Sequence, residues 1–356
     1  MSNTIPVDVV VGVDTHKDVH AAVAISATGF HLAATTVPVS SKGYQALEAW
    51  ATSIGPVQAF GIEGTGSYGA GLSRFLHQRG HTVLEVNRPN RQLRHQKGKS
   101  DIVDAESAAR AVLAGQAAGQ PKSGIGTVEM IRHLKIARDT AVKARTQAMQ
   151  TLRAIIICSP AALREQLDPI VGKMTLLRRL AALRPGPITS TLASAKVSLR
   201  AIAQRWLALD AEIKQHDVLL ATLTATCAPE LIKAHGVATG TAAEMLLVVG
   251  DNPERIHSEA AFAKLCGACP IPASSGKTNR HRLNRGGNRQ ANAALYRVVI
   301  TRMRAHPPTL EYMRRRRAEG KSKTEIIRCL KRYVSREIYG YLCGKPKLLN
   351  TPSTTP

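Results

Sequence analysis

The chain has 356 residues, 44% hydrophobic and 4% aromatic, with 49 Lys and Arg against 25 Asp and Glu, a formal charge of +24. That length supports two or three domains with true cores, and the charge points to a polyanionic partner, nucleic acid first and an anionic membrane surface second. Few aromatics argue against stacking on unpaired bases. No apolar run is long enough to span a bilayer, and the start MSNTIPVDVV lacks a basic-then-apolar leader pattern, so a cytoplasmic, bacterial-type, nucleoid-associated protein is expected.

Residues 7–14, VDVVVGVD, are rich in Val and read as a strand. THKD reads as a turn, and 20–26 and 30–39 as strands that pair back. A helix follows at 42–53, then an apolar strand at 57–63. GTGSYGAG opens a helix to about Arg79, and 81–87 is a fifth strand. The basic loop 88–99 leads into a helix at 101–114. Antiparallel strands followed by alternating helix and strand predict an α/β domain with a mixed sheet over residues 1–120.

The middle, 121–227, changes character. Long helical patterns cover 128–157 and 199–225, separated by the break RPGPITST at 184–191. In the second, Ile202, Trp206, Leu209, Ile213, His216, Leu220 and Leu223 alternate spacings of four and three, an a/d seam broken by His216. In the first, Leu134, Ala141, Ala148 and Ile155 recur every seven, with Arg138 and Arg145 between them. A helical hairpin, a dimerising coiled coil and two ordinary amphipathic helices all fit. Residues 228–347 predict a helical, basic C-terminal domain, and 348–356 a disordered tail. Within it, 231–251 reads as two short helices around a Gly-containing hairpin. The stretch 265–299 reads as a basic loop entering a helix. Helix 322–343 carries Ile326, Ile327, Leu330, Val334 and Ile338 as its apolar stripe, with Lys323, Arg328, Lys331, Arg332 and Arg336 largely off it. Cys266 and Cys269 form a lone CxxC without a second pair, so reduced thiols are expected rather than zinc.

Four acids carry the chemical reading. Asp14 ends the first strand, Glu63 ends the fourth, and Asp101 and Asp104 sit i,i+3 at the start of a helix, sharing one face. Taken alone, Ser100 as N-cap and acids in the first turn are ordinary helix chemistry. If strands one and four are neighbours, however, all four carboxylates converge. They then repel unless divalent cations, Mg²⁺ or Mn²⁺, neutralise them. Two such ions about 3.5–4 Å apart suit phosphodiester cleavage. Arg88, Arg91, Arg94, Lys97 and Lys99 are placed to grip the phosphate backbone. Asp8, Asp18 and Glu106 are read as surface residues.

The order D…E…DxxD resembles the ribonuclease-H-like fold, more narrowly its RuvC-like, Holliday-junction-resolvase type. VGVDTHKDVHAA, GIEGTGSYG and KSDIVDAESAAR together resemble the N-terminal domain of the DEDD transposases, insertion-element recombinases related to the pilin-gene invertases, over about residues 7–115. The resemblance implies that Asp14, Glu63, Asp101 and Asp104 bind the catalytic metal. ASSGKTNRHRLNRGGN resembles the family's C-terminal serine domain over about 230–340, which implies Ser275 as nucleophile, with Ser274 adjacent. Lys277, Arg280, Arg282 and Arg285 would activate the hydroxyl and stabilise the phosphorane. On the residues alone this is a plain Ser-Gly turn. The 231–251 stretch resembles a helix-hairpin-helix, though Ala238 occupies its second glycine position, leaving phosphate contact and packing both open. Gly286 and Gly287 before a helix at Asn288 would cradle a phosphate or simply start the helix.

The family implies a DNA transposase that cuts and rejoins element ends and target, guided by a structured RNA. It also implies dimers pairing into tetramers, each active site shared between two subunits. The alternative is a RuvC-like, metal-dependent nuclease or junction resolvase with no covalent intermediate. An actin-like ATPase would need a second phosphate-binding half, and no repeat is present. A non-enzymatic nucleic-acid-binding protein would not need four intact acids.

Overall fold

The computed structural model describes residues 8–86, 100–117, 119–276 and 281–344. Arg88, Arg91, Arg94, Lys97, Lys99, Lys277 and Arg280, and the tail, lie outside the described residues. The chain divides into two compact units: one runs to Gly126 and regains Val249–Phe262, and the other comprises Thr127–Val248 and the chain from Ala263.

The first unit is built on a five-stranded mixed sheet. Strand β1 (Val9–Thr15), β2 (Val19–Ser26) and β3 (His31–Pro38) precede α1 (Ser41–Ile54). β4 (Val57–Glu63), α2 (Ala70–Gln78), β5 (Val83–Val86) and α3 (Asp101–Leu113) follow. The order is β3-β2-β1-β4-β5. β2 pairs antiparallel with both β1 and β3, whereas β4 pairs parallel with β1 and β5. Helices therefore cover both faces. Val9, Val11 and Val13 pack with Leu47, Phe60, Leu72 and Leu76 on one side, and Val10, Val23 and Ile25 with Ala105 and Ala109 of α3 on the other. Every residue of β1 is buried, as a central strand with two covered faces requires. This α/β architecture matches the expectation element for element, with ends shifted by a residue or two.

The second unit is helical. α4 (Thr127–Cys158) is followed by α5 (Ala161–Leu167) and α6 (Lys173–Ala181), two short helices absent from the sequence reading, and then α7 (Thr191–Cys227). α4 and α7 pair antiparallel within the chain: Arg138 Nε meets Asp217 at 2.5 Å, and one heptad on, Arg145 meets Asp210. The arginines that interrupt the α4 seam thus have acids facing them on α7. Leu199, Trp206, Ile213 and Leu220 recur every seven along the buried side of α7, while Ile202, Leu209, His216 and Leu223 are half-buried. Arg145 and Lys173 stack their cations over the Trp206 ring, at 5.4 and 4.3 Å. No described helix is long and apolar enough to cross a membrane.

Beyond α7 come α8 (Pro229–Lys233), α9 (Thr239–Val249) and α10 (Glu259–Leu265). A two-stranded hairpin of β6 (Ile271–Pro272) and β7 (His281–Arg282) leads to α11 (Arg289–Ala305), α12 (Pro307–Ala318) and α13 (Lys323–Cys343). Buried Arg302 organises this end. Its guanidinium holds the Glu337 carboxylate at 2.6 and 2.8 Å, and its Nε donates to His235 O at 2.8 Å in the turn between α8 and α9. Gly236 in that turn has φ +81° and faces Val298 O, so the hairpin is packed onto α11. On α13 the apolar stripe is as expected, but Lys331 is buried, donating to Asn292 Oδ1 at 2.9 Å.

Candidate metal centre and serine loop

Two glycines set the geometry of the acidic site. Gly12 of β1 and Gly61 of β4 are register partners. A Cβ on Gly12 would lie 2.0 Å from Ala105 O and 2.3 Å from Ala109 N of α3, and one on Gly61 would lie 2.5 Å from Val112 Cγ2. At Gly12 the helix backbone rests directly on the strand and leaves no room for a Cβ, whereas at Gly61 the Val112 side chain fills the space, with Ala108 O next at 3.1 Å. Side chains two residues apart share a strand face, so Asp14 and Glu63 lie on the α3 side, one pleat beyond the glycines, at the C-terminal ends of adjacent parallel strands. Thr15 Oγ1 donates to Glu63 O at 2.8 Å and ties the two strand ends together. α3 starts over this edge. Ser100 caps it, accepting from Val103 N at 3.2 Å, with Asp101 and Asp104 in its first turn.

Asp14 is 8% and Asp104 5% exposed, while Asp101 opens to solvent. His16 lies in the turn after β1, where the sequence predicts nothing beyond a turn. Its Nε2 stands 3.2 Å from Asp14 Oδ2 and 3.3 Å from Asp101 Oδ1. Asp14, His16 and Asp101 present ligand atoms all within 4.8 Å of one another, a set able to hold a metal ion. Burial raises the Asp14 carboxyl above its ordinary value. His16 opposes that, and the Asp104 and Asp101 charges add to it. A buried carboxylate flanked by two more and backed by an imidazole fits a divalent cation: hard oxygens supply charge and one nitrogen completes the set. Of the surface acids, Asp8 and Asp18 are exposed, and half-buried Glu106 pairs with Arg110 at 2.6 Å and His31 at 3.5 Å.

In the other unit, Ser274 and Ser275 are exposed beyond β6, before Gly276 at φ +53°. Arg282 and Arg285 are the members of the basic set that are described here. Gly287 crosses Gly267: a Cβ on Gly287 would lie 2.2 Å from Gly267 N. Asn288 caps α11 by accepting from Gln290 N and Ala291 N. These two amides are therefore already bonded, and Gly287 acts as a packing residue. All six cysteines are free thiols. Cys266 is buried, its thiol pushed up to about 12, and Cys269 Sγ accepts from Asn284.

Residues 11–157, which include all four acids and His16, match a family model described as a transposase, the DEDD type of IS110. Residues 228–314, which include Ser275, match the transposase family IS116/IS110/IS902. Both units thus match transposase domain models of the IS110 group. A 43.6 kDa protein of insertion element IS110 from Streptomyces coelicolor is 33% identical over 144 residues. The match takes in 40% of this chain and spans about a third, 34%, of that relative's length.

Proposed function

We propose that this chain cuts and rejoins the DNA of an insertion element, with a divalent metal at the acidic centre and Ser275 as nucleophile, guided by a structured RNA. The observation that carries the reading is that Asp14, His16 and Asp101 present ligand atoms within 4.8 Å of one another, with the Asp104 charge close enough to act on Asp14. Such a group of carboxylates makes sense as a cation site in a chain whose charge otherwise favours polyanions.

Asp14, Asp101 and His16 would hold the ion, with Asp104 and Glu63 beside them. A bound ion supplies Lewis acidity toward a phosphate oxygen. The chain's own groups do the rest. Ser275 Oγ loses its proton and attacks phosphorus. The P–O bond to the departing deoxyribose breaks, and that oxygen takes up a proton. The product is a phosphoserine ester, so one phosphodiester replaces another and resealing needs no ATP. Arg282 and Arg285 supply charge near the phosphate. The guide RNA, the pairing of dimers into tetramers and a site shared between subunits belong to this proposal through the family resemblance. The antiparallel α4–α7 pair is a surface on which a dimer could form as a coiled coil.

The test is to incubate the protein with element DNA and its transcribed non-coding RNA in Mg²⁺, denature, and look for protein joined to DNA. Wild type is expected to give an adduct that Ser275→Ala and Asp101→Ala both lose. Cleavage without an adduct, unchanged in Ser275→Ala, would replace the proposal with a RuvC-like metal-dependent nuclease. An adduct that forms equally without RNA would remove the guide.

A further inference from the structure

A cleft of about 690 Å³ opens in the helical unit between the β6–β7 hairpin and helices α12 and α13. Eight of its lining residues are Arg or Lys and one is acidic, Glu325. Glu325 is already committed to the capping box of α13, accepting from the Ser322 backbone N at 2.9 Å. The buried Nε of Arg316 has no acceptor among the described residues. Arg316 pairs with Glu319 through its Nη1, yet six guanidinium groups and two lysines still leave the hollow strongly positive, which favours an anionic ligand. Of the eight, only Arg282 belongs to the serine loop, and neither that loop nor the acidic centre accounts for the other seven.

Two features narrow the ligand. Arg328, Arg332 and Arg336 line the cleft on successive turns of α13, about 6 Å apart along the axis, a repeat commensurate with consecutive phosphates of one strand. Tyr312 and Tyr333 lie in the same wall, ring centroids 5.4 Å apart and edge to face, with Tyr333 44% exposed. A free phosphate needs no aromatic wall. A hollow of this volume has room for a couple of nucleotides. We infer that this cleft binds a single polynucleotide strand, its phosphates on the α12 and α13 arginines and an unpaired base against Tyr333. The inference rests on the proposed function only in taking nucleic acid as the ligand.

The experiment is fluorescence anisotropy of the full-length protein in EDTA with short labelled oligo-dT, oligo-U and a duplex. Arg315 and Arg336 are exposed cleft residues, and Arg314 and Arg317 are exposed and outside the cleft lining. The double substitution Arg315→Ala/Arg336→Ala is expected to weaken strand binding about tenfold and to flatten the salt dependence by about 0.7 per lost phosphate contact. Tyr333→Ala is expected to lose at least about fivefold, with Tyr333→Phe retaining affinity. Arg314→Ala/Arg317→Ala removes the same charge and should cost less than about threefold. Equal losses in the two arginine pairs, or duplex binding lost through the same cleft residues, would overturn the inference while leaving nucleic-acid binding intact. Wild type that binds no probe would instead sink the nucleic-acid reading itself. The oligo-dT to oligo-U ratio tells whether DNA or RNA is the strand.

Discussion

Gly12→Ala is the sharpest test of how the acidic centre is built. The added methyl would meet Ala105 O at 2.0 Å and Ala109 N at 2.3 Å, whereas ordinary contact begins at 3.4 Å, so about 1.4 Å must open between β1 and α3. Both obstacles are helix backbone, so no rotamer change relieves the clash. The helix must lift, and Asp101 and Asp104 leave with it. Overpacking of this kind costs about 1–3 kcal/mol, which for a unit of this size lowers Tm by roughly 4–10 °C. Displaced ligands should weaken Mn²⁺ binding by about 10- to 100-fold, the range seen when groups that orient a ligand are lost. Calorimetric Mn²⁺ titration and a thermal melt read the two effects. Gly66→Ala is the control, since nothing lies within 4 Å of its Cβ position. Wild-type Tm and Mn²⁺ affinity in Gly12→Ala would refute the claim that a glycine-permitted contact aims the acids.

Three further substitutions test separate links. Burial, and then the Asp104 and Asp101 charges, raise the Asp14 carboxyl against the opposing His16. Its contribution to stability is therefore complete below the unfolded value of about 3.8 and is lost as pH rises through the higher folded value. In EDTA, Asp14→Asn should melt at a higher temperature than wild type at neutral pH, and the advantage should vanish in acid. His16→Gln should reduce Mn²⁺ affinity more than Mg²⁺ affinity, because imidazole nitrogen favours the softer ion. Loss of nitrogen modulation in the Mn²⁺ spin-echo spectrum would check the ligand directly. Arg302→Ala leaves half-buried Glu337 without its guanidinium and should cost about 3–5 kcal/mol in urea unfolding of the helical unit; a loss under about 1 kcal/mol would show that the pair does not hold the α8–α9 turn in place.

Much of the first unit was legible because its strands are short Val-rich runs with turn residues between them. Asp14, Glu63, Asp101 and Asp104 stand at the strand ends and helix start where the sequence puts them. His16 was not legible, since a histidine in a turn carries no periodic signal and its role depends on α3 starting above it. The second unit was harder. α12 buries only Thr309 and Met313, so PPTLEYMRRRRA shows no apolar stripe and reads as a solvated charge run. The same lack of periodicity hid the cleft: arginines on α12 and α13 become neighbours only once the turn between them is folded. The composition argued against base stacking, yet two of the seven tyrosines meet in that one wall.

The glycine pair also explains why the site takes the form it does. A divalent ion needs carboxylates from the sheet and from a helix within one coordination sphere, and an ordinary helix–sheet spacing holds them too far apart. Replacing two facing side chains by hydrogen lets α3 settle onto β1 and β4. The sequence form of that solution is Gly-x-Asp in VGVD and Gly-x-Glu in GIE, with the glycine making the approach and the acid, one pleat on, using it. Burial first, and then the neighbouring Asp104 and Asp101 charges, raise Asp14 in the metal-free site against the opposing His16. It follows that conservative acids are not enough. A chain that kept all four carboxylates but carried alanine at Gly12 should fold with a lowered Tm and bind the cation about 10- to 100-fold more weakly.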